Sequence, residues 1–312
     1  SASLNSDIVY AQDAAAAGLP AVLAAKLPGK IFLIRIGGDI VWERAAEKGQ
    51  RFVAVSEYYS NNFHLVDRPI LFRVVKFVLR RARAIIVPAD ILRDIYINFY
   101  SLDKDKIFII RNPCETVSDL RDVDGGVDFR GKRGDFIILF AGRFVAYKNL
   151  EFLIKVFVKL RNKMGFGKLL LIGDGPERGK ICELLEKLDA KNYVEIHEPT
   201  EHLKLLKKIR QVSICIGPAL TEFNPNFILE CLALGKPVLL SRENGLTIRL
   251  PEEFLFYAMS ELELSKKMER FLDPVFYKKA QKMASKLDVS QDWAKTVESH
   301  LMILNSLAGK AI

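Results

Sequence analysis

The chain has 312 residues, of which 50% are hydrophobic and 27% charged, proportions that exclude a disordered or fibrous protein and a length that suits two domains. It contains no run of eighteen uncharged apolar residues, so we expect no membrane-spanning helix. The net charge of +9 suits a nucleic acid, an anionic membrane surface or a phosphorylated substrate. Because no zinc finger, RNA-recognition or helix-turn-helix pattern accompanies that charge, we expect no nucleic-acid partner.

Short apolar runs alternate with amphipathic runs along the whole chain. Each apolar run is hydrophobic over most of its length, as expected of parallel strands that are buried on both faces. This alternation predicts an α/β fold with two Rossmann-like, doubly wound domains. The predicted strands are residues 8–10, 31–36, 84–87, 107–110, 136–140, 169–172, 193–196, 213–216 and 237–240. The predicted helices between them include residues 150–161, 178–188 and 201–209.

The beginning of the chain supplies fewer strands than a complete domain of this kind. Residues 14–27 are apolar and alanine-rich, but Gly18 and Pro20 are expected to break them as a helical segment. No positively charged leader with a cleavage site precedes them, so we expect no signal peptide. About four strands precede residue 114, whereas a Rossmann unit carries about six. The first domain is therefore expected to be unusually small or truncated at its N-terminus, with an exposed sheet edge.

A basic segment in the first domain leaves two interpretations open. Residues 71–84, with the sequence LFRVVKFVLRRARA, mix bulky apolar side chains with cations. In the first interpretation the segment is a peripheral membrane contact that binds anionic lipid. In the second, which we favour, it packs on the core of the first domain and leaves a basic outer face. The cations are Arg73, Lys76, Arg80, Arg81 and Arg83.

A change of composition separates the two domains. Residues 115–134 hold several glycines and aspartates with few apolar side chains, which is typical of a linker. This predicts a short first domain over residues 1–114 and a second domain over residues 135–288, which holds a full set of alternating elements.

The first motif of the second domain suits a ligand that carries phosphate groups. In FAGRFVAYKNL (residues 140–150) a predicted strand runs into Gly142, and Arg143 and Lys148 follow. Ligands of open α/β sheets bind beyond the strand ends. An arginine fork together with a lysine point charge is what a diphosphate needs. A basic loop taken alone is more often solvated, but the position after the first strand of the domain favours a binding site.

The second motif, LIGDGPE (residues 171–177), forms a turn between a predicted strand and a predicted helix. Gly173 and Gly175 allow the backbone to approach a ligand closely. By itself this motif is weak evidence, because many strand-to-helix turns contain it.

The strongest motif is LTEFNPNFILE (residues 220–230), which is followed by ALGKPV and a predicted strand. Asn224 is expected to cap a helix that begins at Pro225, since a proline in the first turn loses no needed hydrogen bond. The N-terminus of that helix offers N–H groups and a positive dipole end to a phosphate near Glu222. Glu230, nearly two turns along, can accept hydrogen bonds from ribose hydroxyls. The alternative is a solvated pair of surface glutamates, but the segment that follows favours the ligand site.

These three motifs, in this order and spacing, resemble those of the retaining nucleotide-sugar glycosyltransferases of family 4, which have the GT-B fold. The similarity covers about residues 136–251 and extends more weakly to residues 107–113. It implies that the second domain binds the donor and that the short or truncated first domain lies on the acceptor side. It also implies a C-terminal helix, within residues 289–312, that packs back on the first domain.

The resemblance also implies roles for individual residues. Arg143 and Lys148 are implied to bind the donor diphosphate, Glu222 to contact the transferred sugar and Glu230 to hold the ribose, with Glu222, Arg143 and Lys148 as the catalytic residues. Further donor contacts are implied for Gly142, Gly173, Gly175, Asn226 and Phe227. No cofactor or obligatory metal is implied, since cations take its place at the leaving diphosphate. The implied reaction moves a sugar from a nucleotide-diphosphate donor to a glycan, lipid or cell-envelope acceptor.

Two departures from the family pattern leave a second function open. Pro225 stands where family members commonly have a glycine. The stretch RIGGD (residues 35–39) has no histidine, although the family usually carries a catalytically important one in the first domain. The alternative is therefore a catalytically impaired nucleotide-sugar-binding protein. An NAD-dependent oxidoreductase is excluded, because no G-x-G-x-x-G follows a strand with an acidic residue about 20 positions later.

The cysteines and histidines predict no metal site. The four cysteines form no C-x-x-C pair, and we expect them to be free thiols in a reducing compartment. The four histidines show no metal-ligand spacing. We therefore expect a cytoplasmic protein, which would be peripheral on the inner face of the membrane if residues 71–84 contact lipid.

Overall fold

The structure, a computed structural model, describes residues 6–26, 30–114, 136–289 and 292–309. The chain divides into two compact units, one comprising Ser1–Pro113 with Gln291–Ile312 and the other Cys114–Ser290. Each unit is built on a parallel sheet, so the predicted α/β fold with two Rossmann-like units is confirmed. The predicted linker, residues 115–134, lies outside the described residues.

Among the described residues, the sheet of the first unit has four parallel strands in the order β1-β2-β3-β4, against six in the second unit. All four side chains of β3 are buried, which requires cover on both faces of the sheet. The strands are β1 (Ile8–Ala11), β2 (Ile31–Arg35), β3 (Ala84–Val87) and β4 (Ile107–Ile109). Each lies within one residue of its predicted bounds.

Helices connect these strands. They are α1 (Gly18–Lys26), α2 (Ile40–Glu47), α3 (Val55–Ser60), α4 (Phe63–Asp67), α5 (Pro69–Arg81) and α6 (Asp90–Asn98). The expectation that Gly18 and Pro20 break the helix was wrong. The helix begins at Gly18, so Pro20 lies in the first turn, where its missing N–H has no intrahelical partner to lose.

Helix α5 shows where the apolar side chains of residues 71–84 lie. Its apolar side chains Phe72, Val75, Val78 and Leu79 are buried in the first unit. The favoured interpretation, a core-facing helix with a basic outer face, is therefore confirmed for the apolar face. The arginines of the helix remain exposed on the other side.

A buried polar cluster lies under α2 and α3. The Asp39 carboxylate caps α2 by accepting from the Trp42 N–H (2.8 Å) and also accepts from the Tyr59 hydroxyl at 2.9 Å. The Tyr59 oxygen lies 2.8 Å from that of Tyr100. Burial raises the pKa of Asp39 to about 6. The ring of His64 packs 4.7 Å from that of Tyr59, and burial lowers the pKa of His64 to about 4.

The C-terminal helix α13 (Trp293–Leu307) belongs to the first unit. Its Ile303 packs in one buried cluster with Leu33 of β2. At the end of β2, Nη1 of Arg35 lies 3.1 Å from Nε2 of His300. The helix is therefore attached to the sheet by apolar packing in its C-terminal half, at Ile303, and by a polar contact at the strand end.

Within residues 136–289, the second unit holds a six-stranded parallel sheet in the order β10-β9-β8-β5-β6-β7. Its strands are β5 (Ile137–Ala141), β6 (Lys168–Ile172), β7 (Val194–His197), β8 (Ile214–Gly217), β9 (Val238–Ser241) and β10 (Leu255–Phe256). The five predicted strands lie within one residue of these bounds. The short β10 was not predicted, because two residues give no periodic signal.

Helices between and after the strands complete the second unit. They are α7 (Leu150–Met164), α8 (Arg178–Lys187), α9 (His202–Gln211), α10 (Asn226–Ala233), α11 (Glu261–Arg270) and α12 (Pro274–Ala284). The three predicted helices are confirmed with ends shifted by one to three residues. Gly165 caps the C-terminus of α7, and its φ of +78° is a conformation that glycine adopts without strain.

The strand order reverses once in the second sheet. From β5 the chain continues to β6 and β7 on one side, then crosses to β8, β9 and β10 on the other. The neighbours β5 and β8 pair at Ile138 and Ile214. Open α/β sheets bind ligands beyond the carboxyl ends of the strands at a reversal of strand order of this kind.

Candidate functional site

A cavity of about 570 Å³ lies beyond the C-terminal ends of β5, β6 and β8, at the reversal of strand order. Its volume falls within the range of small-molecule sites. Every predicted site residue except Gly175 lines it: Gly142, Arg143, Lys148, Gly173, Glu222, Asn226, Phe227 and Glu230. Three separate sequence motifs therefore meet around a single space.

The loops after β5 and β6 touch through their backbones. The N–H of Gly142 donates to Ile172 O (3.0 Å), and that of Phe144 donates to Asp174 O (2.8 Å). Gly173 has a φ of +145°, and an added Cβ would lie 1.9 Å from the Gly142 carbonyl oxygen. Only glycine fits at this position.

Gly175 also allows the loops after β5 and β6 to pack closely, but it lies outside the cavity. Its φ is +157°, and an added Cβ would lie 2.4 Å from the Phe144 carbonyl oxygen. The residue lets the two loops pack together, but it does not border the cavity as a ligand contact would.

Two cations reach the cavity from the loop after β5. The exposed Arg143 donates from Nη2 to the Tyr147 hydroxyl oxygen at 2.8 Å. Nζ of Lys148 lies 2.5 Å from Oε1 of Glu222. Among the described residues, Arg143 has no carboxylate within ion-pair distance. Its guanidinium is therefore available to an anion.

The loop after β9 holds Glu222 in place. The Glu222 N–H donates to Glu243 O (3.1 Å), and its carbonyl oxygen accepts from the Gly245 N–H (2.7 Å). The Thr221 hydroxyl donates to the carboxylate of Glu243 at 2.6 Å. The backbone of Glu222 is therefore fixed on one side, while its carboxylate is engaged by Lys148 on the other.

The start of α10 differs from the expected cap. The helix begins at Asn226, and Pro225 occupies the N-cap without a side-chain hydrogen bond. The Asn224 amide donates to the side-chain oxygen of Asn226 instead of capping the helix. The expectation was wrong because the helix starts one residue later, which puts proline, a residue without a polar side chain, at the cap. The first turn of α10 nevertheless borders the cavity.

Glu230 borders the cavity from the second turn of α10. Its Oε1 lies 3.2 Å from Nε2 of His202 at the start of α9. Asp174 also borders the cavity, and its Oδ1 lies 3.5 Å from Nη1 of Arg178. A carboxylate in the position of Glu230 can accept hydrogen bonds from the hydroxyl groups of a ligand.

Several cavity residues were not found from the sequence. Pro199, Thr200 and Leu205 come from the loop after β7 and from α9, and Gly217 ends β8. Their residue types carry no distinctive chemistry, and their only signal is their position after a predicted strand. The contact of His202 with Glu230 had no sequence signal.

Within the described ranges, no group of three or more His, Cys, Asp or Glu side chains is placed to hold a metal ion. In the same part of the chain, every helix is too short or too polar to cross a bilayer. None of the four cysteines forms a disulfide within the described residues, and Cys114, Cys215 and Cys231 are buried.

Comparison with known proteins gives a consistent relationship. A family model described as "Glycosyl transferases group 1" matches residues 128–286, just over half of the chain. An uncharacterized glycosyltransferase of Methanocaldococcus jannaschii is 27% identical over 173 residues, which are 54% of this chain and 42% of that protein. Protein CapJ of Staphylococcus aureus is 28% identical over 156 residues, which are 49% of this chain and 39% of that protein. The matches therefore span about two fifths of the length of these relatives.

A solved structure shows the same fold. The Anabaena protein HepE, in a crystal structure with UDP and glucose, superposes with a TM-score of 0.68 at 16% identity. The superposition covers 96% of this chain and 78% of that one. At this identity the likeness establishes the fold, a GT-B glycosyltransferase architecture, and not the ligand.

Proposed function

The chain belongs to the group 1 glycosyl transferases, and from that membership we propose that it moves a sugar from a nucleoside-diphosphate donor to an acceptor with retention of configuration. The acceptor is a glycan, a lipid or a cell-envelope component. The proposal places the protein in family 4, as a transferase of the hexosyl type.

One observation carries the proposal. Arg143 and Lys148, the first turn of α10, and the carboxylates Glu222 and Glu230 all border the cavity at the end of β5 and β8. A site of this kind offers two cations and helix N–H groups to a diphosphate and carboxylates to the hydroxyls on either side of it. A nucleoside-diphosphate sugar has this order of groups.

The proposed chemistry follows from where charge develops. As the sugar departs, negative charge grows on the diphosphate, and Arg143, Lys148 and the helix N-terminus stabilise it. Glu222 contacts the transferred sugar and Glu230 holds the ribose. No obligatory metal is proposed, since two cations already lie beside the proposed diphosphate position. That the fold neighbour HepE was crystallised with UDP supports a donor of this class.

The alternative, a protein that binds a nucleotide sugar without turnover, is favoured by one observation in the first unit. The stretch at residues 35–39 holds no histidine, and its one carboxylate, Asp39, is buried and engaged with Tyr59. Nucleotide binding without release of free sugar or transfer product would support this alternative.

A peripheral membrane contact through residues 71–84 is part of the proposal, with the protein on the cytoplasmic side. Ile70, Arg73, Phe77, Arg80 and Arg81 are exposed, and their spacing places them on one side of α5, opposite its buried residues. Ile70 is 75% exposed, and the helix contains no acidic side chain. A face with apolar and cationic side chains together suits an anionic lipid surface.

A thermal-shift screen of UDP, GDP and ADP and of their sugar derivatives tests the proposed function. At a ligand concentration of 100 times the Kd, binding stabilises the folded chain by about 2.7 kcal/mol, which gives a clear rise in Tm. The same ligands should raise the Tm of the Arg143→Ala variant much less at equal concentration. A wild-type chain that melts cooperatively but responds to none of these ligands would rule the proposal out.

A further inference from the structure

Tyr147 connects the elements of the cavity without being one of its proposed ligand contacts. It is 5% exposed, and its hydroxyl oxygen accepts from Nη2 of Arg143 at 2.8 Å. Its carbonyl oxygen accepts from the Leu220 N–H at 2.9 Å, which joins the loop after β5 to the segment that carries Glu222. Its ring centroid lies 5.8 Å from Nζ of Lys148. One side chain therefore contacts both cations of the cavity.

The hydrogen bond from Arg143 to the Tyr147 hydroxyl restricts the orientation of the Arg143 side chain. Its side chain is exposed, and a long exposed arginine loses conformational freedom when it becomes fixed on a ligand. A guanidinium has five N–H donors in a fixed fork. The phenol oxygen engages one nitrogen, which sets the plane of the fork and leaves further donors for an anion.

We propose that Tyr147 is a positioning residue, which holds the Arg143 guanidinium in the orientation that receives the donor diphosphate. This inference rests on the proposed function, because it needs Arg143 to bind that diphosphate. The hydroxyl group is the part of Tyr147 that acts, since the ring and the backbone contacts would remain in phenylalanine.

The rival explanation is that Tyr147 only fills the core. A buried tyrosine that loses its hydroxyl then lowers the stability of the chain, with no specific effect on a charged ligand. The two explanations differ in whether the effect of the hydroxyl depends on Arg143. A double-mutant cycle measures that dependence directly.

The experiment titrates the full chain with UDP, GDP and ADP, and with uridine, guanosine and adenosine, by calorimetry at one salt concentration. The proteins are the wild type, Tyr147→Phe, Arg143→Ala and the double variant. Tyr277→Phe is the matched control, because the Tyr277 hydroxyl donates to Ser213 O (2.8 Å) and is also buried in the second unit. Tm values for all five proteins record any loss of stability.

We expect Tyr147→Phe to lower the affinity for the diphosphate about three- to tenfold, as for the loss of one orienting hydrogen bond. The affinity for the nucleoside should stay unchanged. In the Arg143→Ala background the same change should have less than about a twofold effect. Tyr277→Phe should lower the Tm without changing diphosphate affinity.

Three results would overturn the inference: unchanged diphosphate affinity in Tyr147→Phe, an undiminished loss in the Arg143→Ala background, or an equal loss for diphosphate and nucleoside. If the folded wild-type chain binds none of the three diphosphates, the proposed function itself fails, and the inference falls with it. Binding by the wild type separates these two kinds of failure.

Discussion

Nζ of Lys148 lies 2.5 Å from Oε1 of Glu222, so the second cation of the loop after β5 is paired with the first glutamate of the segment at residues 220–230. Both side chains are mostly buried, with 18% and 12% of their surface exposed. A diphosphate that binds Lys148 must therefore compete with, or share the lysine with, a carboxylate already in contact with it.

Substitutions at the two partners of this ion pair are expected to have different effects on the affinity for a nucleoside diphosphate. Lys148→Ala should lower the affinity for a nucleoside diphosphate about 10- to 150-fold, since a charge-assisted hydrogen bond contributes about 1.5–3 kcal/mol to binding. Glu222→Gln should leave that affinity unchanged or raise it, because it removes the competing charge. Calorimetry with diphosphate and nucleoside on both variants measures this. A large loss of diphosphate affinity in Glu222→Gln would contradict the assignment.

Glu230→Ala should weaken nucleotide binding and leave the fold intact. The change removes acceptors proposed for the ribose hydroxyls from a partly exposed position on α10. A 2′,3′-dideoxynucleotide provides the control, because the variant and the wild type should bind it equally. If the variant binds the ordinary nucleotide as tightly as the wild type, this helix does not hold the ribose.

Two glycines, one in the turn after β6 and one in helix α8, should change stability in opposite directions when each is replaced by alanine. Gly173→Ala places a Cβ 1.9 Å from the Gly142 carbonyl oxygen at a φ of +145° and should lower the free energy of unfolding by about 3 kcal/mol or more. Gly179 lies in α8 with open space where a Cβ would go, so Gly179→Ala should raise it by about 0.5–1 kcal/mol. Urea unfolding of both variants tests the pair. Similar stabilities for the two would show that the loops are not in contact as described.

The buried cluster of the first unit predicts an unusual pH dependence. The folded pKa of Asp39, about 6, exceeds its ordinary value of 3.8, so this group lowers stability as pH rises from about 4 to 6. The folded pKa of His64, about 4, is below its ordinary 6.5, so this group raises stability as pH rises from about 4 to 6.5. In the wild type the two effects oppose each other.

Single substitutions should separate these two effects. Asp39→Asn should make stability rise more steeply between pH 4 and 6, and His64→Phe should make it fall there, each by at most about 1.4 kcal/mol per pH unit. Urea unfolding of the three proteins at pH 4.5, 5.5 and 6.5 gives the slopes. Parallel slopes in all three proteins would show that neither group has a shifted pKa.

The outer face of α5 should bind anionic vesicles. Arg73→Glu with Arg80→Glu should reduce binding to phosphatidylcholine vesicles that contain about 30% phosphatidylserine, because each basic residue near such a surface contributes about 1 kcal/mol. Lys207→Glu with Lys208→Glu on α9 makes the same change of charge in the second unit and should leave binding nearly unchanged. Equal losses in the two double variants would indicate attraction to the net charge of the protein and no specific face.

The strands were predictable because their apolar runs are bounded by polar segments, and nine of the ten strands in the described part of the chain lie within one residue of their predicted limits. The exception is β10 (Leu255–Phe256), a strand of two residues that lies at the edge of the sheet and forms by pairing with β9. Pro20 was misjudged because a proline breaks a helix only beyond the first turn, and the sequence did not reveal where the helix began.

The cavity was predictable as a set of residues but not as a set of contacts. Strand-end motifs bring Arg143, Glu222 and Glu230 to one edge of the sheet, since parallel strands end together. The pairing of Lys148 with Glu222 and of Thr221 with Glu243 joins side chains from different loops. Those contacts depend on loop conformations, and loops, unlike strands and helices, have no periodic sequence pattern from which to predict them. The contact of Tyr147 with Arg143 could not be predicted for the same reason.

The adjacency of β5 and β8 has a consequence for the order of events in folding. The Ile137 N–H donates to the Ser213 hydroxyl across 76 positions of sequence, so the two halves of the cavity meet only when the second half of the unit docks. The proposed nucleotide site needs both halves of the cavity, so a nucleotide has no complete site to bind before β5 and β8 pair. We infer that a bound nucleotide slows the unfolding of this unit and leaves its folding rate unchanged.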